Sequence, residues 1–525
     1  MKVERQDFEG RRGRALAGAL GLALLLTAGL GWVVMGDLWP WVRGIAPWPP
    51  EWRWLHVPIG PDPRLVGHGV LLLAYLGFAA WVTGTSHPRR LRLAVLGGAL
   101  FLILWQLAQS WVRDPNVGET LIFRTYAPSL NGYFLAPAQV ESISHTLNNY
   151  LAAMPTFFSD KPQTHPPGFF LFYALAQVIF TSLGEFSAWF ANIARTWATP
   201  GQDWPQLIDP LITSAFFTAW VQVGLTSLLP VSVFLFVRQM HFPTQERRDE
   251  IALWSSLTLP LIPPLALFLL QWDTVFPALG MLAWFFALRG QNRLSDLNAS
   301  GWGQWTDWLW AGLLLSALTW MSFGTMVFGL LIGLHILWRE GMAFVENRNR
   351  FDPLLALPTL GGLGIMGAGV ALPWLLGLGV WGMNFFDLFQ FGLQRHYEVV
   401  TALRDYGMWW WMNLVDFTLW LGPGSLLLGG VGSVAIWLQA RRMPEGRAWR
   451  DMAGLAVIYW AVLLLLNFSG TTRGEIGRLW IFLMPFPLIF ALALPWTRRQ
   501  RLLLLFILAA WGWVLAYSIP PFLCC

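Results

Sequence analysis

The sequence predicts an all-α fold: a polytopic helical membrane protein with about 14–15 transmembrane spans. Three observations carry that prediction. Hydrophobic residues make up 56% and charged residues 12% of the 525, against about 45–50% and about 25% in ordinary soluble domains. Mean hydropathy is +0.51, and Trp (35) and Phe (37) far outnumber Tyr (9). The apolar residues come in runs of about 17–25, the length that crosses roughly 30 Å of hydrocarbon as helix. A soluble enzyme, a DNA-binding domain and a disulfide scaffold are excluded by the same figures. The cysteines, Cys524 and Cys525, are adjacent at the end of the sequence, so no disulfide framework is expected. Nor do they form a prenylation box, which sets its Cys further from the end.

The runs fall near 15–35, 64–83, 93–112, 167–184, 209–238, 251–270, 272–288, 306–321, 323–338, 354–378, 411–437, 453–468, 479–495 and 502–519. Lys2, Arg5, Arg11, Arg12 and Arg14 precede the first, and no A-x-A-like cleavage site follows it; a retained first span is expected. Short loops rich in Lys and Arg stay in the cytoplasm. The basic clusters are the N-terminus, His87-Pro88-Arg89-Arg90-Leu91-Arg92, Arg238 with Arg247-Arg248, Arg289 with Arg293, Arg339 to Arg350, Arg441 to Arg450, and Arg498-Arg499-Arg501. With all of them inside, the N-terminus is cytoplasmic and the loops 113–166, 379–410 and 469–478 face outward. Arg238 returns inside only if the long run 209–238 is split into two short spans near Gly224 or Pro230, which leaves the C-terminus outside. No internal repeat and no separate soluble domain is visible. Function therefore belongs in the outward loops and adjoining span ends, because ionisable groups in hydrocarbon face a cavity or one another.

Long loops are commonly functional, and 113–166 is the longest here. It opens with Asp114 and Glu119, passes through Asn131-Gly132-Tyr133-Phe134, and ends Thr164-His165-Pro166-Pro167-Gly168. Val140, Ile143, Leu147, Leu151 and Met154 recur at helical spacing, with Glu141, His145 and Asn148 on the opposite line. The stretch 136–154 reads as an amphipathic helix in the outer membrane interface; its polar line faces either bulk water or a cleft. Pro-Pro lacks N–H groups that a first helical turn leaves unpaired anyway, so it sets a sharp helix start. Gly168 admits a close backbone or ligand. By themselves these are devices of helix initiation.

A long outward loop with acidic residues and an interfacial helix, closed by His165-Pro166-Pro167-Gly168, resembles the GT-C glycosyltransferases. Protein O-mannosyltransferases and aminoarabinose transferases carry a related His-Pro-Pro-Leu or Lys-Pro-Pro-Leu there. Pro263-Pro264 followed by Asp273 resembles the family's proline-then-aspartate pattern. Tyr406-Gly407, Trp409-Trp410-Trp411, Asn413 and Asp416 before a Gly-Pro-Gly span resemble bacterial members, as does Arg473-Gly474-Glu475-Ile476-Gly477-Arg478-Leu479-Trp480. Each motif is short; their order and shared side make the set. The matches run from about 93 to 495, which implies additional N-terminal spans at 1–92, a GT-C-like domain at 93–495, and a C-terminal span and tail at 496–525.

The resemblance implies transfer of a sugar from a polyprenyl-phosphate donor to an acceptor hydroxyl on the outer face of a bacterial inner membrane. A hydroxyl is a weak nucleophile, so inverting transfer needs a carboxylate base. The departing lipid phosphate needs cations, best as arginine forks. The family's acids lie in the first long outward loop, which here offers Glu119, Asp114 and Glu141, though the tandem Asp-Glu of mannosyltransferases is absent. His165, Asp273, Arg395, Arg473, Glu475 and Arg478 are the expected substrate-binding residues, with Glu475 orienting Arg478. Each has a plain alternative as a hydrated loop charge or interfacial ion pair. No metal cage or cofactor is expected: His145 and His165 are far apart, and there is no Asp-x-Asp. Walker and Rossmann loops are missing too, in keeping with a lipid-linked donor. The expected partners are that donor and membrane lipid, not nucleic acid. Two alternatives stand beside the enzyme. One is a non-catalytic GT-C-fold subunit of a membrane assembly. The other is a lipid or sugar transporter, which calls for midplane charges and related halves that the sequence lacks.

Overall fold

The computed structural model describes residues 2–47, 50–85, 89–294, 303–346, 357–442 and 447–520; His87, Pro88, Cys524 and Cys525 lie outside them. Among the described residues every regular element is a helix, and the one strand-like contact is an isolated bridge between Gly44 and Arg53. Nine of these helices are long and apolar enough to cross a membrane, or ten if the bent pair Gly168–Ser182 and Gly184–Arg195, turned by 103°, forms one span. The chain is a polytopic helical membrane protein.

That count is below the expected about 14–15, and for two of the missing runs the reason is visible. Proline breaks 251–270 into the helix Gln245–Thr258, a 3-10 turn Leu259–Leu261 and a single turn Pro264–Leu267. Likewise 479–495 becomes the short pieces Ile476–Leu479, Ile481–Leu483 and Pro485–Leu492. Nearly all of these side chains are buried against protein. Irregular backbone between them is tolerable because protein, not lipid, surrounds it. A run of apolar residues records burial, and a protein interior satisfies it as well as a bilayer does.

The split of 209–238 is also corrected. Gly224 lies inside the helix Asp209–Thr226, which with Leu229–Val237 makes one candidate span of 29 residues, Asp209–Val237. The break falls at Ser227, whose hydroxyl donates back to the Val223 carbonyl at 2.8 Å. Pro230 sits in the first turn of the second helix, where its missing N–H costs nothing.

Two compact units interleave along the chain. One comprises Met1–Gln109, Leu229–Leu267 and Asp405–Pro521; the other takes in Ser110–Leu228 and Phe268–Arg404. In the first unit the helices Pro423–Arg442 and Pro485–Leu492 pack closely, and a Cβ on Gly432 would strike the Phe490 carbonyl. Small residues are what let helices approach so nearly in a membrane. In the second unit Gly303–Met321 packs between Phe276–Leu294 and Leu357–Trp381. Buried Asp307 receives Arg289 and Arg293. A buried carboxylate with two guanidinium partners is the arrangement that desolvation demands.

Candidate functional site

In the second unit the helix Val117–Tyr126 follows the end of Arg90–Arg113. Asn116 caps it, accepting from Glu119 N at 3.2 Å, and its Nδ2 donates to a Glu119 oxygen at 3.1 Å. Glu119 is 2% exposed. It also accepts from Thr199 N at 3.1 Å and from the Thr199 hydroxyl at 2.7 Å. Three donors on one buried carboxylate occupy most of its roughly four lone-pair sites. Glu119 has the surroundings of a strut. Asp114 accepts from Asn116 N at 2.9 Å and from the Thr120 hydroxyl at 3.0 Å; it is half-buried in the same turn.

The expected interfacial helix 136–154 is broken. Pro137–Gln139 is a 3-10 turn, Ile143–Asn148 and Tyr150–Ala153 are short helices, and Met154–Thr156 is 3-10 again. Ser142 caps the first of these helices, accepting from His145 N at 3.2 Å. Glu141 therefore lies before the helix, not on it, and is exposed, as are His145 and Asn148. The buried stripe is Leu147, Tyr150 and Met154, joined by Ala136 and Phe157 against Phe170, Trp374, Met383 and Leu388. Leu151 is 40% exposed and outside it. Burial pushes the Tyr150 hydroxyl well above the ordinary phenol range. It stays a donor, to the His165 carbonyl at 3.4 Å.

His165 stands at the start of the helix Gly168–Ser182. Its Nδ1 lies 2.9 Å from the Lys161 carbonyl, which also accepts from the Thr164 hydroxyl at 3.0 Å. A carbonyl only accepts, so Nδ1 carries a proton at this contact; the Thr164 hydroxyl lies 2.9 Å from the same nitrogen. The Tyr133 ring packs edge-on against the imidazole at 5.1 Å. Gly168 admits a backbone, not a ligand: a Cβ there would meet the Trp320 carbonyl.

Four further side chains make contacts around this corner. Arg395 donates from Nε and Nη2 to Gln163 Oε1 at 3.0 and 2.8 Å, two residues before His165. Lys161 reaches the Leu130 carbonyl and, at 3.3 Å, Gln271 Oε1. It does not take Asp160, which is 72% exposed and lies 3.9 Å from Arg395. Gln271 Nε2 donates to Leu130 O at 3.0 Å, and Arg124 donates to Leu269 O at 3.3 Å. Lys161, through Gln271, and Arg124, through Leu269, reach the non-helical stretch before the 3-10 turn Trp272–Thr274, which carries half-buried Asp273. The segment 161–165 thus links Arg395, through Gln163, to the stretch before the Asp273 turn, through Lys161 and Gln271. Glu119 sits at the other end of its helix from Arg124, roughly 8 Å away along the axis at about 1.5 Å per residue. Sequence reasoning missed Lys161, Gln271 and Arg124. Lys161 was hidden by the adjacent Asp160, and Gln271 and Arg124 carry no local signal.

In the first unit Arg473, Glu475 and Arg478 occupy one loop. Arg478 pairs with Glu475 at 2.8 Å, both nearly buried, and Arg473 lies over the Tyr406 ring at 5.3 Å. The motif residues Asn413 and Asp416 hold that loop. Asn413 Nδ2 donates to Thr472 O at 3.0 Å and its Oδ1 accepts from Gly474 N at 3.1 Å. Asp416 accepts from Gly477 N at 3.1 Å and from Trp54 Nε1 at 2.6 Å. Glu475 adopts a left-handed φ of 59°, a conformation uncommon for side chains other than Gly, Asn and Asp. Trp54, and Glu51 bonded to Trp409 Nε1 at 2.5 Å, come from a Trp-rich stretch between the first two spans whose proline and aromatic content shows no periodicity to read.

Among the described residues no three His, Cys, Asp or Glu side chains group as a metal would require. No protein-family model, no curated protein and no solved structure matches this chain.

Proposed function

We propose that the chain is a membrane glycosyltransferase of the GT-C kind, transferring a sugar from a polyprenyl-phosphate donor to an acceptor hydroxyl on the outer face of the membrane. The observation that carries this reading is the segment 161–165, which receives Arg395 on Gln163 and reaches the stretch before the Asp273 turn through the contact of Lys161 with Gln271. The acceptor oxygen bonds to the anomeric carbon, the bond from that carbon to the phosphate oxygen breaks, and the lipid phosphate leaves with the electron pair. A carboxylate takes the hydroxyl proton, and cations receive the phosphate. In this assignment Asp273 is the base, with Lys161 and Arg395 as the cations. Arg478, held by Glu475, is a separate candidate contact for a lipid phosphate.

The experiment is transfer from a panel of polyprenyl-phosphate sugars to hydroxyl acceptors by the purified protein in detergent. Activity with any donor supports the reading. A second reading, a non-catalytic GT-C-fold subunit, is favoured by the three hydrogen bonds that hold Glu119. Absence of transfer with every donor, together with co-purification of a fixed membrane partner, would make it the better one.

A further inference from the structure

The first unit contains a cavity of about 580 Å³ away from the Arg473–Arg478 loop, and four arginines line it: Arg90, Arg247, Arg498 and Arg501. They come from three of the basic clusters read in the sequence, 89–92, 247–248 and 498–501. Confinement of basic residues to one side of a membrane accounts for three exposed clusters. It does not account for their meeting in one cavity, nor for a buried arginine.

Arg501 is 1% exposed. Its Nη1 engages Glu250, and its guanidinium lies 5.6 Å from the Trp254 ring. Its Nε and Nη2 are buried and have no hydrogen-bond partner. Leaving two donors of a cation desolvated is costly. Those two N–H groups form the side edge of the guanidinium, the fork that receives two oxygens of one phosphate.

The surroundings favour an anion in other ways. Arg90 opens the helix Arg90–Arg113, Thr244 caps Gln245–Thr258, and Arg498 opens Arg498–Ser518. Three helix N-termini therefore bring positive partial charge to the cavity. Three carboxylates also line it. Glu250 is shared between Arg501 and Arg247. Asp249 faces Arg238 at 3.1 Å. Glu246 is exposed.

We propose that this cavity is a binding site for a phosphate-bearing anion, held by the Nε–Nη2 edge of Arg501 with Arg90 and Arg498 at its mouth. Pro63–Gly84, Arg90–Arg113 and Arg498–Ser518 are all candidate spans that begin or end here, so the cavity lies at headgroup depth. An anionic phospholipid headgroup is one source of the ligand, and a soluble phosphorylated molecule is the other. The site is independent of the glycosyltransferase reading.

The test is thermal stabilisation of the full chain in detergent, titrated separately with phosphatidylglycerol, phosphatidylcholine and inorganic phosphate. Phosphatidylglycerol alone stabilising the wild type identifies a lipid headgroup; inorganic phosphate alone identifies a soluble ligand. In either case Arg501→Lys, which keeps charge and loses the fork, weakens the effect about tenfold or more, the scale of a lost charge-assisted hydrogen bond. Should Arg501→Lys fail to fold, the exposed double variant Arg90→Gln/Arg498→Gln produces the same loss. Equal stabilisation by phosphatidylcholine, no response to either anion, or wild-type titrations in both variants would overturn the proposal.

Discussion

Glu119 separates what a residue's position suggests from what its contacts allow. It stands in the first turn of a helix after a span, where a negative charge is favoured by the helix dipole, and its three donors tie that turn to Thr199. Glu119→Gln should lower stability by about 1.5–3 kcal/mol, the range for hydrogen bonds to a charged group, with turnover changed only a few-fold. Thermal unfolding in detergent measures the first and a transfer assay the second. A stable, inactive Glu119→Gln protein would return the residue to the chemistry. Arg478 carries the opposite expectation. If it receives a lipid phosphate, Arg478→Lys keeps the charge, loses the planar fork, and loses most activity at equal expression. An active Arg478→Lys enzyme would leave the arginine as the anchor of Glu475 and its strained loop.

At the scale of elements, the helix Gly168–Ser182 sits where it does because position 168 lacks a Cβ. Gly168→Val would press into the Trp320 carbonyl and should cost about 1–3 kcal/mol, as overpacking does. The unfolding midpoint reads it. The helix Gln245–Thr258 is fastened through Glu250. Burial works to raise that carboxyl, but hydrogen bonds and charge from Arg501 and Arg247 outweigh it and hold it below the ordinary value. A lowered carboxylate contributes stability that is present above its unfolded value of about 4.3. That contribution is lost as pH falls through the lower folded value. The midpoint difference between wild type and Glu250→Gln should therefore be constant near neutrality and shrink under acid. A difference that grows on acidification would contradict the pairing. The loop from 136 to 154 shows how pattern and element part company. Its apolar stripe was legible and Leu147 and Met154 are buried, but Asn149 interrupts the helix, and the stripe shifts from Leu151 to Tyr150.

For the whole molecule, the fold class was legible because composition alone excludes a soluble chain. The number of spans was not. A hydropathy run cannot tell a lipid-facing helix from a short proline-broken helix buried in protein, and 251–270 and 479–495 are the second kind. The short motifs around Asn413 and Arg473 were visible in the sequence. Their contacts were not: Asn413 and Asp416 grip the Arg473–Arg478 loop across about 60 residues of chain, a distance over which no helical periodicity carries information. The cavity around Arg501 was likewise hidden, since its three basic clusters look alike one by one. The proposed topology places Ser159 and Thr472 on the outer side. With Cys524 and Cys525 replaced by Ser, Ser159→Cys and Thr472→Cys should both react with an impermeant thiol reagent in intact cells. Labelling of one only after permeabilisation would overturn it. The central claim, that this is a glycosyltransferase with its base at the Asp273 turn, is tested most directly by the turnover of Asp273→Asn against wild type, with donor affinity measured alongside. The expected result is a loss of about 10²–10⁴-fold in turnover, the contribution of a general base, at nearly unchanged donor affinity. Near-native turnover in Asp273→Asn would contradict it.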